Sequence, residues 1–131
     1  GYGKSHGRGV ESSQTSGVLR LTRIRLPDVN PSISLIAFDQ RQTGICQGDS
    51  GGPAIWTFGK RAFVLGVANS TRPLLSPEQS AQLQQVNYNW TEWQKLNPTS
   101  DMCGHIGVYT NILPHIDWIY NQMSEIQSEL K

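Results

Sequence analysis

Residues 46–53 read Cys-Gln-Gly-Asp-Ser-Gly-Gly-Pro, and this stretch constrains fold and function more than any other. Glycine, aspartate, serine and proline all favour turns, so the simplest interpretation is a glycine-rich turn between two strands. A more specific interpretation is a nucleophile beside an oxyanion hole. Glycines leave room for two backbone N–H groups to converge beside the hydroxyl of Ser50. Glycine content alone does not decide between these interpretations.

The sequence on either side predicts mainly β-structure. Apolar residues alternate with polar ones or form short runs bounded by turn residues, as is typical of strands. In the first strand the apolar parity changes, and a bulge near Thr22 and Arg23 would bring both halves to one face. Gly59 marks a hairpin turn between the third and fourth strands. The predicted strands are residues 18–26, 33–39, 53–58, 61–69 and 106–113.

Two segments predict helices. Ser76 and Gln79 form a capping-box pattern, with proline at the first helical position. Behind the cap, apolar residues recur at spacings of three and four: Leu83, Val86, Trp90, Trp93 and Leu96. A second helix is expected after Pro114. Its apolar stripe comprises Ile116, Ile119, Met123, Ile126 and Leu130. We expect both stripes to face the core rather than a partner.

Composition excludes several classes of protein. The 131 residues suit one domain or a piece of one, and four Trp, four Tyr and three Phe argue against disorder. A charged fraction of 16% and a net charge of +1 give no basis for binding nucleic acid or an anionic membrane. No run of 18 apolar residues exists that could span a membrane. Two cysteines alone cannot make a four-ligand zinc site, and we expect no metal or cofactor.

Taken whole, residues 46–53 resemble the nucleophile signature of the chymotrypsin/trypsin family of serine peptidases. Three further stretches are similar to the family. Residues 1–3, Gly-Tyr-Gly, resemble its Gly-Trp-Gly; residues 65–70 resemble the strand that flanks the substrate; and residues 107–110 match its Gly-Val-Tyr-Thr. The resemblance covers nearly the whole chain except residues 72–102.

The resemblance implies an all-β fold. Residues 1–131 would form the C-terminal antiparallel trypsin-like β-barrel, incomplete without an upstream strand and followed by a C-terminal α-helix. Residues 72–102 would be a partly helical insertion next to the specificity pocket. The family spends only a few residues there, and long insertions often serve as lids or binding loops.

The resemblance also implies catalytic roles. Ser50 would be the nucleophile, with an oxyanion hole formed by the N–H groups of Gly48 and Ser50. Asp49 would pair with the N-terminal amine of an activated enzyme. Cys46 and Cys103 would form a disulfide across the specificity pocket, which implies a secreted or periplasmic protein.

Five residues would shape the specificity pocket by the same resemblance. Its floor would be Gly44, and its walls would be Asn69, Ser70, Thr71 and Gly107. A glycine at the floor, where trypsin-like enzymes specific for Lys or Arg have an aspartate, implies small or medium uncharged side chains before the scissile bond. Asn69 falls where the family has a buried serine, and Ser70 replaces its usual aromatic residue, so the alignment could slip at 69–71.

The family's general-base histidine and orienting aspartate have no counterpart among these residues. His6, His105 and His115 occupy none of the equivalent positions, so we expect an N-terminal half of the same peptidase to supply both groups. A serine hydroxyl without a base is a weak nucleophile, and the chain alone should be inactive. The predicted activity is hydrolysis of protein or peptide substrates by a serine endopeptidase. The alternatives are a non-catalytic homologue that binds proteins, which the intact Ser50 and its glycines disfavour, and an unrelated ligand-binding β-domain.

Overall fold

A four-stranded antiparallel sheet carries the core. The computed structural model describes residues 1–7 and 15–130. Within them the strand order is β1-β4-β3-β2. The strands are β1 (Leu35–Asp39), β2 (Pro53–Phe58), β3 (Arg61–Arg72) and β4 (Ile106–Asn111). The predicted hairpin is confirmed, because β2 pairs with β3 in antiparallel register and Gly59 turns between them at φ +60°.

One face of the sheet holds the main core. Its fully buried members are Ile36, Phe38, Ala54, Ala68 and Tyr109. The rings of Phe38 and Tyr109 stack across the β1–β4 pair with centroids 5.4 Å apart. Such cross-strand pairs fix the register of the two strands. The serine segment enters β2 directly, so this core positions it.

The sheet is open rather than closed into a barrel. In the described part of the chain, β1 and β2 lie at the two edges of the sheet. The molecule therefore combines a small antiparallel sheet with helices, which bears out a partly β fold and leaves the expected barrel as a proposal.

The strand predicted at residues 18–26 is wrong, and so is its bulge. This segment has no regular secondary structure and belongs to no sheet. Ile24 and Leu26 pack against the core, whereas Leu19 and Leu21 are exposed, Leu21 by 92%. An alternating segment becomes a strand only where a neighbouring backbone completes its hydrogen-bond ladder, and no described strand of this chain does so.

Two helices lie between β3 and β4. These are α1 (Pro77–Gln85) and α2 (Trp90–Leu96). The capping box is confirmed: Gln79 N–H donates to Ser76 Oγ, and Ser76 N–H donates to Gln79 Oε1. The predicted stripe is not continuous, because Asn87 and Tyr88 adopt positive φ and end the first helical segment. Leu83 and Trp93 nevertheless remain buried, one on each helix.

The C-terminal helix forms as predicted but does not face a core. After a 3₁₀ turn at Leu113–His115, α3 spans Ile116–Glu129 and buries none of its residues. Met123, Ile126 and Leu130 are all at least half exposed. The core-facing stripe predicted for this helix is therefore wrong for the described residues, since none of their elements covers it. No helix in residues 1–7 or 15–130 is long and apolar enough to cross a membrane.

Candidate active site

The serine segment is a tight turn held between the disulfide and the sheet. Asp49 N–H donates to the Cys46 carbonyl, and Gly52 N–H donates to the Asp49 carbonyl, both at 3.0 Å. Gly51 and Gly52 also bond to Ala68 of β3, at 2.9 and 2.8 Å. Gly48 and Gly51 have φ of +97° and +83°, where a side chain would be strained. The glycines of the motif are thus required by the backbone path.

The Asp49 side chain stabilises this turn from within. Its Oδ1 accepts from Gly3 N–H and its Oδ2 accepts from Cys46 N–H, both at 2.9 Å. The Gly1 nitrogen lies 3.9 Å from Oδ1. The carboxylate therefore connects residues 1–3 with the serine turn. Its pairing with an activation amine stays a prediction.

Ser50 lies at the surface with hydrogen-bonding groups that nothing in the described part of the chain uses. Its side chain is exposed, and its hydroxyl has no partner there. The N–H groups of Gly48 and Ser50 likewise donate to no described acceptor. An oxyanion hole needs two N–H donors that converge beside such a hydroxyl. The assignment of Gly48 and Ser50 to that role stays a prediction.

The predicted disulfide is present. Cys46 and Cys103 are bonded, with Cα atoms 5.1 Å apart and a sequence separation of 57 residues. The bond fixes the end of the segment after α2 against the start of the serine turn. Covalent closure of so long a loop restricts the unfolded chain strongly.

A cavity of about 1090 Å³ lies beside Ser50. It brings together four predicted site residues, Ser50, Asn69, Ser70 and Thr71, and both cysteines of the disulfide line it. No histidine of the described residues lines it. His105 lies elsewhere, where its Nδ1 accepts from Leu74 N–H at 3.1 Å.

Gly44 and Gly107 do not line this cavity, although both were predicted to shape the pocket. A Cβ at either position would collide with the side chain of Gln40. That side chain is buried, and its Nε2 donates to the carbonyls of Ile45 (3.0 Å) and Cys103 (2.6 Å). The two glycines therefore make room for a structural amide. Gln40 was missed because a glutamine at a strand end gives no sequence signal of burial.

Helix α2 forms part of the wall of this cavity. Its contributing residues are Trp90, Thr91, Gln94 and Lys95. Gln94 Nε2 donates to the Gly7 carbonyl at 2.6 Å, and Gly7 N–H donates to Asp101 Oδ1 at 2.7 Å. Those bonds hold the helix against residues 1–7. The segment 72–102 thus contributes directly to the candidate site.

Strand β3 contains a bulge near Ser50. Its pairing with β4 shifts register between Ala68 and Ser70, leaving Asn69 as the extra residue. Asn69 Nδ2 donates to Thr110 Oγ1 at 3.0 Å. The Ser70 hydroxyl is buried and has no hydrogen-bond partner among the described residues. A buried hydroxyl without a hydrogen bond lowers the stability of a fold, so the environment of Ser70 needs an explanation.

Burial and nearby charges shift the pKa of two described groups, Tyr109 and Asp39. Burial raises the pKa of Tyr109, and the nearby negative charge of Asp49 raises it further. Far from the turn, the exposed Arg41 side chain hydrogen-bonds Asp39 and lowers the pKa of that carboxyl to about 2. No group of three or more metal-ligating side chains occurs among the described residues.

Comparison with known proteins gives no assignment: neither a family model nor a solved structure matches this chain.

Proposed function

We propose that the chain is the C-terminal half of a trypsin-like serine endopeptidase. The observation that carries the proposal is the Ser50 turn, in which an exposed hydroxyl and two N–H donors without a described acceptor share one turn of positive-φ glycines beside a large cavity. A glycine turn that only connects two strands does not need these groups together. The match of residues 46–53 to the family's nucleophile signature supports the same function.

The reaction is acyl transfer to Ser50 followed by hydrolysis. Ser50 Oγ attacks the peptide carbonyl carbon while a histidine accepts its proton, and the oxygen becomes an oxyanion. The N–H groups of Gly48 and Ser50 stabilise that oxyanion, each lowering the barrier by about 3–4 kcal/mol. The histidine then protonates the departing amine, and water releases the acyl group by the same steps in reverse.

The histidine and its orienting aspartate come from an N-terminal half of the same peptidase. Three features support a missing partner of this kind. Among the described residues the sheet has open edges, the backbone of residues 18–26 pairs only at Arg20 with Gly1, and the Ser70 hydroxyl has no hydrogen-bond partner. Upstream strands would close the trypsin-like barrel and pair these groups. In this arrangement the bulge at Asn69 moves Ser70, rather than Asn69, into the place of the family's buried serine.

The proposed location is secreted or periplasmic. The Cys46–Cys103 bond supports it, because disulfides persist in oxidising compartments and are rare in the cytosol.

Peptide hydrolysis by the protein containing both halves tests this function. Ser50→Ala should reduce kcat by at least about 10⁴-fold with little change in KM, because the nucleophile is lost. Ser128→Ala is the matched control, since Ser128 lies on α3 and does not line the cavity. Tight binding of protein substrates without Ser50-dependent turnover would instead favour the non-catalytic homologue.

A further inference from the structure

Positive charge is concentrated in the cavity beside Ser50. Lys4, Arg72 and Lys95 all line it, and none of its described lining residues carries a carboxylate. The whole chain has a net charge of only +1, so this concentration is local. Charges of one sign in a cleft attract oppositely charged ligands more strongly than the same charges spread over an open surface.

These three cations reach the cavity from separate parts of the chain. Lys4 belongs to the segment that bonds to the serine turn, with its N–H donating to the Gln47 carbonyl at 2.8 Å. Arg72 is the last residue of β3, directly after Ser70 and Thr71. Lys95 lies on α2. A ligand in the cavity beside Ser50 is therefore close to cations from three separate segments.

Little of this charge is neutralised within the molecule. Lys4 Nζ donates to the neutral amide of Gln47 at 2.8 Å. The Arg72 side chain has no hydrogen-bond or ion-pair partner in the part of the chain that the structure describes. Lys95 pairs with Glu92 at 2.8 Å, but both side chains are more than half exposed, and such pairs contribute little. Arg72 is therefore the cation most available to a ligand.

We propose that this cavity selects substrates carrying an aspartate or glutamate side chain close to the scissile bond. This inference rests on the proposed peptidase function and names its substrate class. Arg72 supplies a planar guanidinium that can bind a carboxylate through two hydrogen bonds, and Lys4 adds a second positive charge. The preference for acidic side chains comes from Lys4, Arg72 and Lys95. It replaces the preference for uncharged side chains expected from Gly44, which does not line the cavity.

Binding to the 131-residue chain tests the inference without requiring catalysis. Two fluorescent hexapeptides that differ only by Glu or Gln are titrated, and anisotropy is followed at 50 mM and 500 mM NaCl. The Glu peptide should bind at least about tenfold more tightly at low salt, and the difference should shrink at high salt. Equal affinities, or tighter binding of a matching Lys peptide, would overturn the proposal.

Charge-neutralising variants locate the effect. Arg72→Gln should reduce the Glu-to-Gln affinity ratio at least fivefold, and Lys4→Gln should reduce it less. Lys60→Gln is the matched control, because Lys60 lies in the β2–β3 turn and does not line the cavity. An unchanged ratio in Arg72→Gln would refute the assignment, provided that circular dichroism shows the variant to be folded.

Kinetics on the protein containing both halves separate this inference from the proposed function. Ser50-dependent turnover with equal kcat/KM for Glu and Gln substrates would leave the peptidase standing and overturn the acidic preference. Arg72-dependent binding of acidic peptides without any Ser50-dependent turnover would support the cavity's preference and overturn the peptidase.

Discussion

The helical segment between β3 and β4 and the C-terminal helix bury their apolar residues very differently. In the first, Trp93 is completely buried, packs edge-on against Trp90 and donates its indole N–H to the Gln79 carbonyl. In the second, no residue is buried, and Met123 is 50% exposed. Both segments carry apolar residues at helical spacing. The spacing shows that a helix needs an apolar partner but does not show where that partner lies.

The difference follows from where each partner is in the chain. Trp93 hydrogen-bonds the Gln79 carbonyl, which is only 14 residues away in the sequence and lies on the neighbouring helix. Leu83 is buried on that same neighbouring helix. Helix α3 ends the described chain and extends away from the sheet core. Its helical form is maintained by its own backbone hydrogen bonds and the 3₁₀ turn before it.

The largest expected effect is a contrast between the two helices. Trp93→Ala should lower the free energy of unfolding by about 3–5 kcal/mol, because it empties a fully buried site. Met123→Ala on α3 should change it by less than about 0.5 kcal/mol, because the side chain already contacts water. Urea denaturation of both variants measures the contrast. Similar losses in the two would show that α3 is packed in solution.

The disulfide should have the next largest effect, because it connects the segment that follows α2 to the serine turn. Replacing Cys46 and Cys103 together by Ser should lower the free energy of unfolding by about 2–4 kcal/mol. It should also loosen the cavity wall, which hydrogen exchange at residues 90–103 would detect. Wild-type protein under reducing conditions is the control. Unchanged exchange would mean that the bonds from Gln94 and Asp101 to Gly7 hold α2 by themselves.

A smaller effect is expected at alkaline pH, and it belongs to the sheet core rather than to either helix. The pKa of Tyr109 is raised in the folded state, so its stabilising contribution is complete below the ordinary tyrosine pKa of about 10 and is lost as pH rises through the folded value. Absorbance titration at 295 nm should show one tyrosine ionising late, and Tyr109→Phe should remove that step. Persistence of the late step in Tyr109→Phe would contradict the burial of Tyr109.

The elements that depend on local patterns could be predicted from the sequence. The hairpin around Gly59, the capping box at Ser76 and the helix after Pro114 all form where the sequence places them, because neighbouring residues determine each one. The wrong predictions depend on partners that are not close in sequence. Residues 18–26 alternate with a change of parity and join no described strand, and Met123, Ile126 and Leu130 of the C-terminal stripe are at least half exposed.

The candidate site shows the same division. The disulfide is what the resemblance to a known family implies, and the glycines of residues 46–53 predict the turn around Ser50, two of them with positive φ. The burial of Gln40 between Gly44 and Gly107 could not be predicted, because it depends on tertiary packing. The same holds for the cations of the cavity, because the position of α2 also depends on that packing. Arg72 and Lys95 are 23 residues apart in the sequence, and only the fold brings both to one cavity.

The central claim is that Ser50 is a peptidase nucleophile that needs a base from an N-terminal half. Its most direct test is the stoichiometry of Ser50 modification by a peptidyl phosphonate, read by intact mass, for the isolated chain and for the protein containing both halves. The account predicts almost no labelling of the chain alone and close to one phosphonate per molecule, on Ser50, when both halves are present. Stoichiometric labelling of the isolated chain, or none in the complete protein, would contradict it.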